Sequence, residues 1–226
     1  MGRALKALTV LLVVWLVSPV VPATGSGSSA PEVHPIFVAD LSPTVAGRPT
    51  ELTAIVVQDD HPMADTRATL TVRRSGSDSF VPVGQDTSDA NGFVAVSTVL
   101  DRNATARWEL SDDSSVISEA FLVEVSPAVT RRANDRTLRR GQRFVVRGRT
   151  FPAKAGCRVQ LWRGELRPLV LGPRPVRLAR STVRADGTYR LTRRFHKPRR
   201  MHVAVVVKPC ADNGRGLSRY LRIRVR

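Results

Sequence analysis

The feature that most constrains this chain is one pattern written twice. Residues 141–164 read GQRFVVRGRTFPAKAGCRVQLWRG, and residues 185–191 read ADGTYRL. A short apolar–basic alternation is followed by Pro and Gly, then a second alternation, then an Asp-Gly turn that opens a third. The first half has the same outline in GRPTELTAIVV (47–57), TRATLTVRR (66–74) and DANGFVAVSTV (89–99). Period-two alternation over short segments, bounded by turn residues, is the signature of half-buried strands. Outside the N-terminal apolar run no segment keeps a helical period. The chain is therefore expected to be all-β, one sandwich unit repeated in tandem.

In the first half, Leu52, Ala54 and Val56 alternate with Glu51, Thr53 and Ile55, and Ala68, Leu70 and Val72 with Thr69, Thr71 and Arg73. Ala104, Ala106, Trp108 and Leu110 form a further apolar set. Phe121, Val123 and Val125 read as one last strand. The turns fall between these segments at Asp59-Asp60-His61-Pro62, Ser75-Gly76, Asn91-Gly92 and Ser111-Asp112-Asp113. In the second half the apolar sets are Phe144 and Val146; Cys157, Val159 and Leu161; Tyr189, Leu191 and Phe195; Val203, Val205 and Val207; and Leu221, Ile223 and Val225. Gly47 aligns with Gly141, Gly92 with Gly187 and Val125 with Val225, so Glu124 falls opposite Arg224. The same alignment sets Ala68 against Cys157.

The carriers Gly141, Phe144, Val146, Gly148, Pro152, Ala153, Gly156, Asp186, Gly187 and Tyr189 resemble those of the secreted immunoglobulin-like repeat modules of actinobacterial surface and exported proteins. The second half resembles them well and the first in outline, since Asp59–Ala64 lacks the Pro-Ala pair. The resemblance implies two tandem immunoglobulin-like β-sandwich domains, non-catalytic, serving as spacers or binding units. Its motifs are turn and core residues, which specify a fold and leave function open.

The N-terminus reads as an export signal. Arg3 and Lys6 precede the apolar run Leu8–Val17, Ser18-Pro19 breaks it, and Val21-Pro22-Ala23 supplies small residues before a cleavage point after Ala23. The run is too short to span a bilayer, so a signal over 1–23 is expected, with no transmembrane segment after its removal. The expected order is then a polar linker over 24–32, an acidic sandwich over 33–125, a link over 126–135 and a basic sandwich over 136–226. A secreted protein held electrostatically at the cell surface follows.

Charge separates the two units. From Pro31 to Ser126 there are 6 Arg and Lys against 15 Asp and Glu, a net of −9. From Pro127 to Arg226 there are 28 against 4, a net of +24. A GC-rich genome favours Arg over Lys, and here the ratio is 32 to 4, but that bias does not gather the acids into one half. The alternation sends Arg143, Arg147, Arg149, Arg158, Arg190, Arg194, Arg222, Arg224 and Arg226 to the solvent sides of two sheets. These nine are the candidate binding residues. Their planar forks suit phosphate and carboxylate.

Cys157 and Cys210, the only cysteines in the chain, are expected to form one disulfide in an oxidising compartment. No metal, cofactor or catalytic residue is assigned. Asp86, Asp89 and Asn91 lack calcium-loop spacing and read as an Asn-Gly turn, and no nucleophile-elbow, zincin or phosphate-loop motif occurs. Two functions follow. The basic domain binds an anionic envelope polymer or lipid headgroups, with nucleic acid taken only non-specifically. Alternatively, acidic and basic domains contact one another, within or between chains, in a structural self-association.

Overall fold

A computed structural model describes residues 29–36, 44–164 and 175–226, and the described residues contain strands and turns without a helix. The expected export signal and residues 24–28 of the expected linker lie outside them. In the first half the strands are β1 (Glu32–Ile36), β2 (Thr44–Val45), β3 (Pro49–Gln58), β4 (His61–Pro62), β5 (Arg67–Arg74), β6 (Val81–Thr87), β7 (Phe93–Val99), β8 (Ala104–Leu110), β9 (Phe121–Val123) and β10 (Val125–Ser126). In the second half they are β11 (Ala128–Val129), β12 (Arg132–Ala133), β13 (Thr137–Leu138), β14 (Arg143–Phe151), β15 (Arg158–Arg163), β16 (Val176–Thr182), β17 (Thr188–Arg194), β18 (Arg199–Val207), β19 (Gly216–Leu217) and β20 (Leu221–Val225).

Each half is an immunoglobulin-like sandwich with the same strand order. One sheet is β1-β3-β7 in the first half and β11/β12-β14-β17 in the second. The facing sheet is β6-β5-β8-β9 in the first and β16-β15-β18-β20 in the second. The parallel pairing of β2 with β10 is matched by that of β13 with β20. Alternating apolar side chains from the paired sheets meet in two cores. One is built on Leu70, Val94 and Trp108, the other on Phe144, Leu161 and Leu191. A continuous area of buried apolar surface in each half is the main stabilising term.

The internal correspondence extends to irregular features. The β5–β6 ladder shifts register between Leu70 and Thr71, and the β15–β16 ladder between Leu161 and Trp162. These matched bulges equate Leu70 with Leu161, and hence Ala68 with Val159. The alignment of Ala68 with Cys157 is therefore corrected by two residues, because the loops before these strands differ in length. Ser118 Oγ accepts from the Trp108 amide at 2.9 Å, and Ser218 Oγ accepts from the Val205 amide at 2.9 Å. Each serine replaces a ladder partner where the chain turns away from the sheet. The turns at Asn91-Gly92 and Asp186-Gly187 both place glycine at φ near +78°, at 77° and 79°, where a Cβ is strained. Asp89 Oδ1 accepts from the amides of Asn91 and Phe93, and Asp86 Oδ2 from that of Ala95. These acids thus serve the backbone of an Asn-Gly turn.

Two segments depart from the sequence expectation. Phe121–Val125 is divided: β9 pairs with β8, whereas β10 begins at Val125 and pairs with β2. The break follows from the junction, where the Val125 amide donates to Asn103 Oδ1 and the Val125 carbonyl accepts from Asn213 Nδ2 and the Gly214 amide. The span 126–135, read as a link, carries β11 and β12, both laddered to β14.

The halves meet through short loops. The Asn103 amide donates to the Asp212 carbonyl at 2.7 Å, and Asn213 Nδ2 donates to the Asp101 carbonyl at 3.1 Å. Lys154 Nζ lies 2.5 Å from Asp212 Oδ1, and Arg102 reaches Asp212 Oδ2 at 3.6 Å. The ion pair between the halves thus runs from a base of the acidic half to an acid of the basic half, opposite to an acidic-on-basic docking within the chain.

Candidate basic faces of the C-terminal sandwich

The nine candidate arginines are all exposed. They divide between opposite outer faces. Arg143, Arg147, Arg149, Arg190 and Arg194 stand on the β14–β17 sheet, and Arg158, Arg222, Arg224 and Arg226 belong to the facing sheet. No single flat surface can contact all nine.

Register converts the first group into rows. Arg147 lies directly across from Arg190 on β17 and from Arg132 on β12, so three arginines cross three neighbouring strands. Arg143 lies across from Arg194. Adjacent strands are about 4.8 Å apart, and same-face residues along a strand about 7 Å. Like charges at these separations repel and destabilise the sheet. None of the five has an ion-pair partner among the described residues, where the acids that form ion pairs are Glu32, Asp101, Glu109 and Asp212. The equivalent positions in the first sandwich are neutral: Thr53 pairs with Ala95 where Arg147 pairs with Arg190, and Pro49 with Val99 where Arg143 pairs with Arg194. The scaffold does not require the arginines. The face is interrupted at Val145, which shares the outward parity but is buried behind the Asn134 crossover.

On the other face, Arg224 lies across from Arg200, and Arg222 from His202. Arg132 and Arg200 extend the two sets through cross-strand pairing, which no single strand's pattern shows. Trp162 is half-buried and donates its indole N–H to Gln160 Oε1, a structural role.

Three features hold these faces in place. Cys157 and Cys210 are disulfide-bonded, joining the start of β15 to the loop after β18. Tyr189 is buried and its hydroxyl donates to the Thr130 carbonyl at 2.5 Å; burial pushes its pKa far above the ordinary tyrosine value, so it stays a neutral donor. Gly148 permits this contact, since a Cβ there would sit 2.0 Å from the Thr130 oxygen. On the acidic half, Phe80 is flanked by Arg73 at 5.0 Å and Arg107 at 4.1 Å from its ring centre, while Arg107 also pairs with Glu109 at 2.8 Å. Those arginines are thus committed internally. Among the described residues no three His, Cys, Asp or Glu side chains cluster in a metal-binding arrangement, and no helix is long and apolar enough to cross a membrane.

No family model matches the chain, and no curated protein does. Solved structures similar to it include a C-terminal fragment of intimin in complex with the intimin-binding domain of its translocated receptor, 12% identical over 87% of this chain and 64% of that one, with a TM-score of 0.38. Another is the adhesin InvE of Yersinia pseudotuberculosis, 8% identical over 86% and 58%, at 0.33. A third is a superoxide reductase of Ignicoccus hospitalis, 16% identical over 45% and 80%, at 0.30. At such scores these likenesses carry no functional information, and the fold assignment rests on strand order.

Proposed function

We propose that this chain is an exported, non-catalytic binding protein whose basic C-terminal sandwich holds an anionic cell-envelope polymer or surface on its arginine-bearing faces. The observation that carries this reading is the exposed cross-strand row Arg132–Arg147–Arg190, with Arg143 opposite Arg194, at positions that are neutral in the duplicate sandwich. Clustered cations cost stability when unpaired, and a polyanion relieves that cost while releasing its counterions. The two-faced distribution suits a flexible polymer that wraps an edge, or two chains bridged by one domain. The disulfide supports an oxidising, extracytoplasmic location.

The test is retention of the full chain on immobilised polyphosphate at low salt, with the affinity followed as salt is raised. Tight retention lost steeply over a few-fold rise in salt is expected, as for any contact made through several phosphates. Passage without retention at low salt refutes the proposal. Sedimentation across the same salt series addresses the alternative: a salt-sensitive oligomer that is not retained assigns self-association between chains instead.

A further inference from the structure

The cleft between the sandwiches is a second basic feature, separate from the sheet faces. It has a volume of about 460 Å³, within the range of small-molecule sites. Its cations are Arg48 from the first half, Arg131 from the connecting segment, and Arg215 and Arg219 from the second half, and no acidic residue lines it. The remaining lining is mostly apolar, with Val45, Val129 and Leu217 among it.

Two details show that the wall is built. The Arg131 guanidinium is fixed by donating to the backbone carbonyls of Arg219, at 2.5 Å, and Tyr220, which leaves its other N–H groups free of any carboxylate. Burial first, then the neighbouring Arg136 and Arg219, push its pKa below the ordinary arginine value, and no acidic side chain lines the cleft to offset the charge. Opposite, β19 packs so closely that a Cβ at Gly216 would lie 2.7 Å from Pro127 Cγ and 2.8 Å from Val129 Cγ2. That glycine lets Arg215 and Leu217 flank the cleft from a strand pinned to β18.

We propose that this cleft is a binding site for a phosphate monoester bearing an apolar substituent. Arginine forks match phosphate oxygens, and a dianion compensates four clustered cations better than a single carboxylate does. The apolar lining accepts the substituent. A lipid headgroup and a soluble ester share this chemistry.

The test uses the full chain and titration calorimetry with dihexanoyl phosphatidic acid below its micelle concentration, with inorganic phosphate as the comparison. Saturable one-to-one binding of the ester is expected, at least roughly tenfold tighter than phosphate because of the apolar contacts. Replacing Arg215→Gln and Arg219→Gln together, both exposed and outside either core, should weaken it by on the order of a hundredfold. The pair Arg147→Gln and Arg190→Gln should leave ester binding unchanged while weakening retention on polyphosphate, so failure of one proposal is distinguished from failure of the other. Flotation with phosphatidic-acid vesicles assigns the lipid source, and ester binding without flotation the soluble one. Absence of saturable ester binding, or equal loss in both arginine pairs, overturns the site.

Discussion

Replacing Asp212 with Asn tests a buried ion pair inside the second sandwich that also reaches Arg102 across the junction. Asp212 Oδ1 accepts from the Lys154 ammonium at 2.5 Å, with the Lys154 side chain only 8% exposed and that of Asp212 25% exposed. Asparagine keeps the shape and one acceptor oxygen but removes the charge, leaving an ammonium buried without its counter-ion. Breaking a fully buried pair from one side costs roughly 3–5 kcal/mol. Asp212 keeps some contact with water, so the low end applies, about 3 kcal/mol. With a urea dependence of about 2 kcal/mol/M for a domain of this size, the midpoint of the second sandwich falls by about 1.5 M. Arg102→Ala touches the same carboxylate at 3.6 Å from a half-exposed side chain and should cost only about 0.5 kcal/mol. Combining Lys154→Met with Asp212→Asn removes both charges and should recover most of the loss. Hydrogen exchange on peptides covering β18, measured through a urea series, reports the second sandwich without interference from the first. An Asp212→Asn variant within about 0.5 kcal/mol of the parent, or a double variant no more stable than the single one, would refute the assignment, since a buried pair predicts coupling well above surface-pair values. The pH dependence supplies a second check. The Lys154 hydrogen bond holds the Asp212 carboxyl below the usual carboxylate range, with Arg102 adding to it. Its contribution is therefore fully present above an unfolded value of about 4 and is lost as pH falls through the depressed folded value. The gap between parent and Asp212→Asn should close in that window. Asp101, also held low by Arg102, titrates in both proteins and cancels.

Further outcomes follow from the disulfide and the arginine row. Cys157 and Cys210 are separated by 53 positions, so reduction should destabilise the second sandwich by up to about 4 kcal/mol in the chain-entropy description while leaving the first unchanged; thermal unfolding with and without reductant checks it, and equal shifts in both halves would contradict it. Arg147→Glu places an acid between Arg132 and Arg190; it should raise stability by up to about 1 kcal/mol while weakening retention on polyphosphate. Loss of both properties would mean that the arginine serves the fold.

Much of the architecture was legible because β-structure writes itself locally. The apolar sets on β5, β8, β14, β17 and β20 point inward as their alternation required, since side chains on successive strand residues take opposite faces. Turn glycines at 92 and 187 carry the left-handed backbone that their Asn-Gly and Asp-Gly contexts imply. Where alternation fails, legibility fails. The serines at 118 and 218 lie outside the strands, and although they keep the same separation as Val125 and Val225, their bonds to the β8 and β18 amides follow from no local alternation. Arg132 and Arg200 join the basic rows through cross-strand pairing, and Arg48, Arg131, Arg215 and Arg219 meet only where two sandwiches and a connecting segment converge.

A period of two sets inside from outside along most strands, Val145 being an exception, so the acid of one half and the arginine of the other are legible as surface charge before any packing is known. Only the folded sheets set which of those arginines stand beside one another, that they divide between opposite faces, and that Asp212 meets Lys154 within its own sandwich and Arg102 across the junction. Register between strands and the meeting of loops from distant parts of the chain depend on packing of whole sheets, and no local stretch of residues encodes them.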